Sequence, residues 1–299
     1  MNDFVQTVPL PGRLRQPVPT RASLWHAVVL ALLLGWLYWP ILFRLAGQWW
    51  NDPNFSHGFF VPAFSFFVLW QKREQLAALP LRPSWTGILI LLFALGLLVV
   101  GVLGAELFLS RSSLLLLLAG LVVYFLGWGH LRAVLFPWLF LFLMIPIPSI
   151  IFNEITFPLQ LLASRLASTL LPLAGVPVLR EGNVILLPAM ALEVAEACSG
   201  IRSLMSLATL AVMYGYVLEK HVAVRVLLAL AAIPIAVIAN SLRIVGTGLL
   251  VQYWDPDKAQ GFFHTFSGWI IFVFSLALLL LLHWMLHLLP RWREPEAAA

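Results

Sequence analysis

Between residues 25 and 289, apolar runs follow one another with only short polar interruptions, and this feature leaves few folds open. A run of about twenty apolar residues matches the ~30 Å hydrocarbon core of a bilayer. In that solvent every backbone N–H and C=O must find a partner within the protein, which an α-helix supplies segment by segment. The chain is 62% hydrophobic and only 10% charged, far outside the soluble range. The expected fold class is all-α, a polytopic membrane helix bundle of about eight transmembrane helices. Spans are expected at 25–43, 55–70, 87–109, 114–128, 133–151, 201–217, 222–253 and 266–289. The second is short and the seventh long, so both are expected to tilt or to end at the interface.

Basic residues in alternate loops set the orientation. Arg13, Arg15, Arg21, Lys72, Arg73, Arg82, Arg132, Lys220, Arg225, Arg291 and Arg293 all fall on one side, the expected cytoplasmic side. An even number of spans places both termini there. The first run lacks a small-residue cleavage site close behind it and reads as an uncleaved anchor. The expected organisation is a cytoplasmic basic tail over 1–24, one integral-membrane domain over 25–289 and a disordered cytoplasmic tail over 290–299. Because the Lys and Arg residues lie between apolar runs, the net charge of +5 reports topology and implies no nucleic-acid partner. The implied partner is membrane lipid.

Two segments outside the spans stand out. Residues 158–175 have the periodicity of an amphipathic or re-entrant helix carrying Arg165 and bounded by Pro158 and Pro172. Next, Gly182-Asn183 between short apolar stretches reads as a short extracytoplasmic hairpin leading to the chain's one cysteine, Cys198.

A single cysteine excludes an intrachain disulfide and leaves three readings for the thiol: inert filling, a regulatory site or a nucleophile. The topology puts Cys198 at the outer end of the sixth span, where a helix N-terminus favours a thiolate. Arg202, one turn on, lowers a thiol pKa, binds a carboxylate or snorkels to the interface. In AIANSLRIVGTG, Asn240 and Arg243 share a face inside an apolar run, and an intramembrane arginine marks a functional site unless a structural ion pair holds it. His264, in GFFHTFSGW, lies at the outer end of the last span, at a height where it can exchange a proton with a thiol or a leaving amine. His57, in NDPNFSHGFFVP, starts the second span, where a turn with an Asx-type cap is an equally good reading. One topology therefore turns Cys198, Arg243, His264 and His57 toward one face. That set suits acyl transfer: a thiolate attacks a carbonyl, an arginine steadies the oxyanion and a histidine moves the proton.

The motifs EACSGIRSL, ANSLRI, FFHTFSGW, NFSHGFFVP, PIPSIIFNEITFPLQLLAS and EGNVILLP, spread over residues 45 to 285, together resemble the exosortase/archaeosortase family. The resemblance implies a multi-pass cysteine protease or transpeptidase of the bacterial inner membrane with its active site toward the periplasm. Its substrates would be exported proteins ending in a Pro-Glu-Pro motif, a transmembrane helix and a basic tail, often in organisms that make exopolysaccharide. It further implies Cys198 as nucleophile with Arg243 and His264 as its catalytic partners, the last being arginine in some archaeal relatives. His57 falls in the family's Ser-His-Gly element. Arg202 and Asn240, with His57, are the expected substrate-binding residues. No phosphate loop, cofactor motif or His-Glu-x-x-His spacing is present, so neither cofactor nor metal is expected. The rival reading is a transport or scaffold component of exopolysaccharide export in which Arg243 lines a polar path and Cys198 is packed.

Overall fold

The computed structural model describes residues 21–194, 200–254 and 262–288. They form an all-α bundle with one small sheet at one end. In chain order the helices are α1 (Arg21–Asn51), α2 (Phe60–Gln71), α3 (Arg73–Ala78), α4 (Thr86–Leu103), α5 (Leu107–Phe125), α6 (Trp128–Ala133), α7 (Leu135–Phe140) and α8 (Ser149–Leu170). Three further helices follow the sheet: α9 (Ile201–Leu218), α10 (Val222–Tyr253) and α11 (Phe262–Leu288). Among the described residues six helices are long and apolar enough to cross a membrane: α1, α4, α5, α9, α10 and α11. The protein is a multi-pass membrane protein.

Two of the eight expected crossings resolve as shorter pieces. Residues 55–70 fold as a 3-10 turn, Pro53–Phe59, followed by the 12-residue α2. At 1.5 Å per residue α2 is about 18 Å long, well short of the ~30 Å hydrocarbon core. Residues 133–151 break at Ile145–Pro148, where Pro146 and Pro148 have no N–H to give a helix. The flanking helical stretches, Leu135–Met144 and Ser149–Ala174, meet at 80°. Pro158, expected to bound a helix, lies inside α8, which starts nine residues earlier at Ser149. Its missing N–H would have bonded the carbonyl of Glu154, and both residues are on the exposed face, so the ladder gap opens outward.

Gly182 and Asn183 make the expected hairpin turn between β1 (Leu179–Glu181) and β2 (Val184–Leu186), with Gly182 at φ +65° as a two-residue turn requires. A third antiparallel strand, β3 (Ala191–Glu193), pairs with β2 and leads toward the cysteine. Ile185, Leu187 and Val194 from the sheet region bury against Ala163, Ala167 and Leu171 of the α8 end and Ile244 and Val251 of α10. The sheet thus seats on the bundle end where α10 finishes.

Lipid is as apolar as leucine, so helices associate here through close packing rather than through removal of apolar surface from water. α4 and α5 meet where Gly87 lies against the backbone of Tyr124, Gly101 against Ser110 and Gly120 against Leu91. α9, α10 and α11 share a second core of Leu207, Ala211, Leu228, Ala232, Ala236 and Leu279.

Candidate active site

The 3-10 turn Pro53–Phe59 brings the first part of the chain to the start of α9. Asp52 caps it, its carboxylate accepting the Asn54 N–H at 2.9 Å. Phe55 packs with Phe152 of α8 and Ile201 of α9. Gly58 lies flat against the Trp49 ring, where a Cβ would come within 2.4 Å of the indole nitrogen. The Asx-type cap expected as an alternative at this turn is therefore present, and the turn also buries His57 to 5% exposure. His57 Nε2 donates to the carbonyl of Leu143 at 3.2 Å, which fixes the tautomer and leaves Nδ1 with its lone pair. No hydrogen-bond partner meets that buried Nδ1 among the described residues. Burial pushes the His57 pKa below the ordinary imidazole value, outweighing its hydrogen bond to the Leu143 carbonyl, so the ring is neutral at pH 7.

α9 begins at Gly200, whose φ of +80° lies in the left-handed region that favours glycine. A Cβ there would stand 2.9 Å from Asn240 Cβ and 3.0 Å from its Cγ. Asn240 is only 1% exposed. One turn along α10, the half-buried Arg243 donates from Nε to Ser267 Oγ of α11 at 3.1 Å. Gly268 lets α11 pass in van der Waals contact with the guanidinium, a Cβ there lying 3.9 Å from a terminal nitrogen.

These elements enclose a cleft of about 680 Å³. It brings together His57, Arg202 and Arg243 with Gly200 and Gly268. Asn240 sits behind Gly200 rather than on the cleft wall. Cys198 lies outside the described residues, two positions before Gly200 on the wall. His264 belongs to the first turn of α11, one turn before Gly268, and its side chain is likewise not described. Arg165, exposed on α8, is not part of the cleft.

Sequence reasoning passed over a polar stripe. Ser203, Ser206 and Thr209 run down one face of α9 and, with Ser56, line the same cleft. The signal was the spacing of three small hydroxyl residues at helical intervals after Arg202. Ser267, which orients Arg243, was passed over as well. A second groove, of about 640 Å³, opens on the other side of Arg243 and is lined by Leu242, Gly246, Thr247, Leu250, Ile270 and Ile271. Gly246 has nothing within 4 Å of where a Cβ would stand, whereas Gly248 is filled by Leu171 and Leu187.

The family model for transmembrane exosortases matches residues 49–281, from the end of α1 to near the end of α11. The chain belongs to the transmembrane exosortase family. The matched region contains every residue of the cleft. As an exosortase the protein is, in general terms, a membrane-embedded enzyme that processes sorting signals. No curated protein and no solved structure matches the chain.

Proposed function

We propose that this exosortase is a cysteine peptidase or transpeptidase that removes C-terminal Pro-Glu-Pro sorting signals from exported proteins through a thioester on Cys198. The observation that carries the proposal is the convergence of His57, Arg202 and Arg243, from three distant parts of the chain, on one cleft whose wall includes Gly200. Cys198 is the nucleophile. Its sulfur attacks the scissile carbonyl, and the negative charge that develops on the carbonyl oxygen is met by the Arg243 guanidinium, held by Ser267. The tetrahedral adduct collapses by breaking the C–N bond. The departing amine of the tail takes up a proton, and His264 is the group assigned to move it. Water then resolves the thioester to a carboxylate, or an amine resolves it to a new amide, and either step restores the thiol.

Recognition follows from charge and shape. Arg202, exposed on the cleft wall, pairs with the glutamate of the Pro-Glu-Pro motif. Asn240 packs against Gly200 at the start of α9 and fixes the cleft wall there, and neutral His57 shapes the opposite wall. The substrate's transmembrane helix lies in the apolar groove between α10 and α11, where Gly246 leaves room for a helix backbone. The enzyme sits in the bacterial inner membrane with the cleft toward the periplasm and both termini in the cytoplasm, the orientation expected from the basic loops. The domain limits are those expected above, one catalytic membrane domain over 25–289 between two cytoplasmic tails.

The test is co-expression in a Gram-negative host with a reporter ending in Pro-Glu-Pro, an apolar helix and a basic tail. The intact enzyme is expected to release a shortened reporter, and Cys198→Ala to release none. The mass of the new C-terminus separates hydrolysis, which adds water, from transfer, which adds the acceptor. A Cys198→Ala enzyme that processes normally would favour the transport or scaffold reading.

A further inference from the structure

At the other end of the bundle, beyond the end of α9, three side chains with metal-binding atoms meet. Glu219 follows the last residue of α9 and is 3% exposed. Its Oε1 lies 2.7 Å from His283 Nε2 and 2.5 Å from His287 Nε2, and those two nitrogens are 3.1 Å apart. His283 and His287 are one turn apart on α11, so the helix itself sets both imidazoles on one face. The expectation of no metal rested on the lack of a His-Glu-x-x-His spacing. Folding supplies the carboxylate from 64 residues away.

Hydrogen bonding alone brings two imidazoles onto one carboxylate oxygen. A carboxylate oxygen only accepts, so both rings must turn an Nε2–H toward the same Oε1. The two nitrogens then stand 3.1 Å apart, both as donors to one oxygen and with no hydrogen bond to each other. A divalent cation takes the place of both hydrogens and uses the same three lone pairs. The surroundings are arranged for that. His283 Nδ1 lies 2.7 Å from the Tyr214 hydroxyl, and donation from Nδ1–H to that oxygen leaves the lone pair on Nε2, as a metal ligand requires. Arg225 holds the Glu219 backbone, donating from Nε to its carbonyl at 2.7 Å, while its guanidinium stacks 5.0 Å from the Tyr216 ring.

We propose that Glu219, His283 and His287 form a divalent transition-metal site, with zinc its best-suited ion, that ties the end of α9 to the end of α11. Two imidazole nitrogens and one carboxylate oxygen match zinc's preferences, with water in a fourth position. Bonds of ~2.0–2.1 Å in tetrahedral geometry put donor atoms about 3.3 Å apart, so the three contacts need open by less than ~1 Å. α9 has 18 residues. At 1.5 Å per residue that sets the site roughly 27 Å along the helix from Gly200 and Arg202, the end of the cleft assigned to the chemistry. The metal is therefore a structural clip and takes no part in the cleavage.

The test uses the full-length protein in detergent, stripped with a chelator, dialysed and titrated with Zn²⁺ alone. Bound zinc is read by elemental mass spectrometry and thermal unfolding is followed in parallel. The expected result is close to one zinc per chain and an unfolding midpoint that rises with zinc and falls again with chelator. Glu219→Gln and His287→Asn are each expected to weaken zinc binding at least tenfold and to remove the midpoint shift, while His221→Asn, an exposed histidine near the same end, keeps both. The wild-type stoichiometry needs no variant to fold. Zinc far below one per chain in the wild type, or binding that survives in Glu219→Gln and His287→Asn, overturns the site.

Discussion

Replacing Gly200 by alanine probes how tightly the start of α9 is held against α10. Gly200 has φ +80°, a conformation that costs an L-residue about 1–2 kcal/mol. The added Cβ would also stand 2.9 Å from Asn240 Cβ and 3.0 Å from Cγ, both heavy atoms of a side chain that is 1% exposed and has little room to retreat. Restoring an ordinary carbon separation of about 3.5–4.0 Å requires the start of α9 and the middle of α10 to part by roughly 0.5–1 Å. Arg243 is one turn beyond Asn240, so the same shift opens the distance between the start of α9 and the arginine. A misplacement of about 1 Å in a reacting constellation lowers rate on the order of a hundredfold. Gly200→Ala is therefore expected to lose about 1–3 kcal/mol of stability and roughly 10- to 100-fold in reporter processing. The rate is read from the time course of tail removal and the stability from thermal unfolding in the same detergent. Gly96→Ala in α4, where nothing lies within 4 Å of a Cβ, is the matched control and is expected to process normally. Processing by Gly200→Ala within twofold of wild type, with unchanged unfolding, would refute the claim that this contact positions the start of α9.

Three further predictions follow from individual contacts. Ser267→Ala removes the acceptor of Arg243 Nε, a charge-assisted hydrogen bond of about 1.5–3 kcal/mol, and is expected to slow processing about tenfold or more with little change in unfolding; an unchanged rate would remove Ser267 from the site. Arg202→Glu is expected to abolish processing of a Pro-Glu-Pro reporter and to recover part of it with a Pro-Lys-Pro reporter, measured side by side, whereas equal activity on both would sink the charge pairing. Burial lowers the His57 pKa, so below about pH 6.5 the unfolded chain binds a proton that the folded protein refuses. Stability is then full above that pH and falls on acidification toward the folded-state pKa, by at most about 1.4 kcal/mol per pH unit. Unfolding scans between pH 7.5 and 5 should show a shallower slope for His57→Gln, and an identical slope would assign the dependence elsewhere.

Length and apolarity made α1, α4, α5, α9, α10 and α11 legible, because a bilayer leaves a long apolar segment no alternative to a helix. Proline was a less certain guide. Pro146 and Pro148 interrupt the fifth expected span, yet Pro158 is absorbed within α8 and Pro234 within α10. Whether a missing N–H breaks a helix depends on what the orphaned carbonyl faces, which is a tertiary matter. Gly182-Asn183 announced its hairpin through local turn chemistry, whereas β3 has three residues and is a strand only because β2 is beside it.

The cleft was legible in part for a similar reason. The expected topology turned His57, Arg202 and Arg243 toward one side, and the three line one cleft. Their supports were not legible, since Leu143 reaches His57 across 86 residues and Ser267 reaches Arg243 across 24. The Glu219 cluster shows the same limit: His283 and His287 have a readable helical spacing, but the carboxylate that gives them a shared ligand geometry arrives only through the packing of α9 against α11.

The central claim is a covalent thioester at Cys198, and the most direct measurement is peptide mass spectrometry of enzyme quenched in acid during turnover of the sorting-signal reporter. The predicted result is a Cys198-containing peptide carrying the reporter's shortened C-terminus, released by neutral hydroxylamine and absent from Cys198→Ala. Continued processing with Cys198 unmodified, and undiminished when it is alanine, would contradict the account.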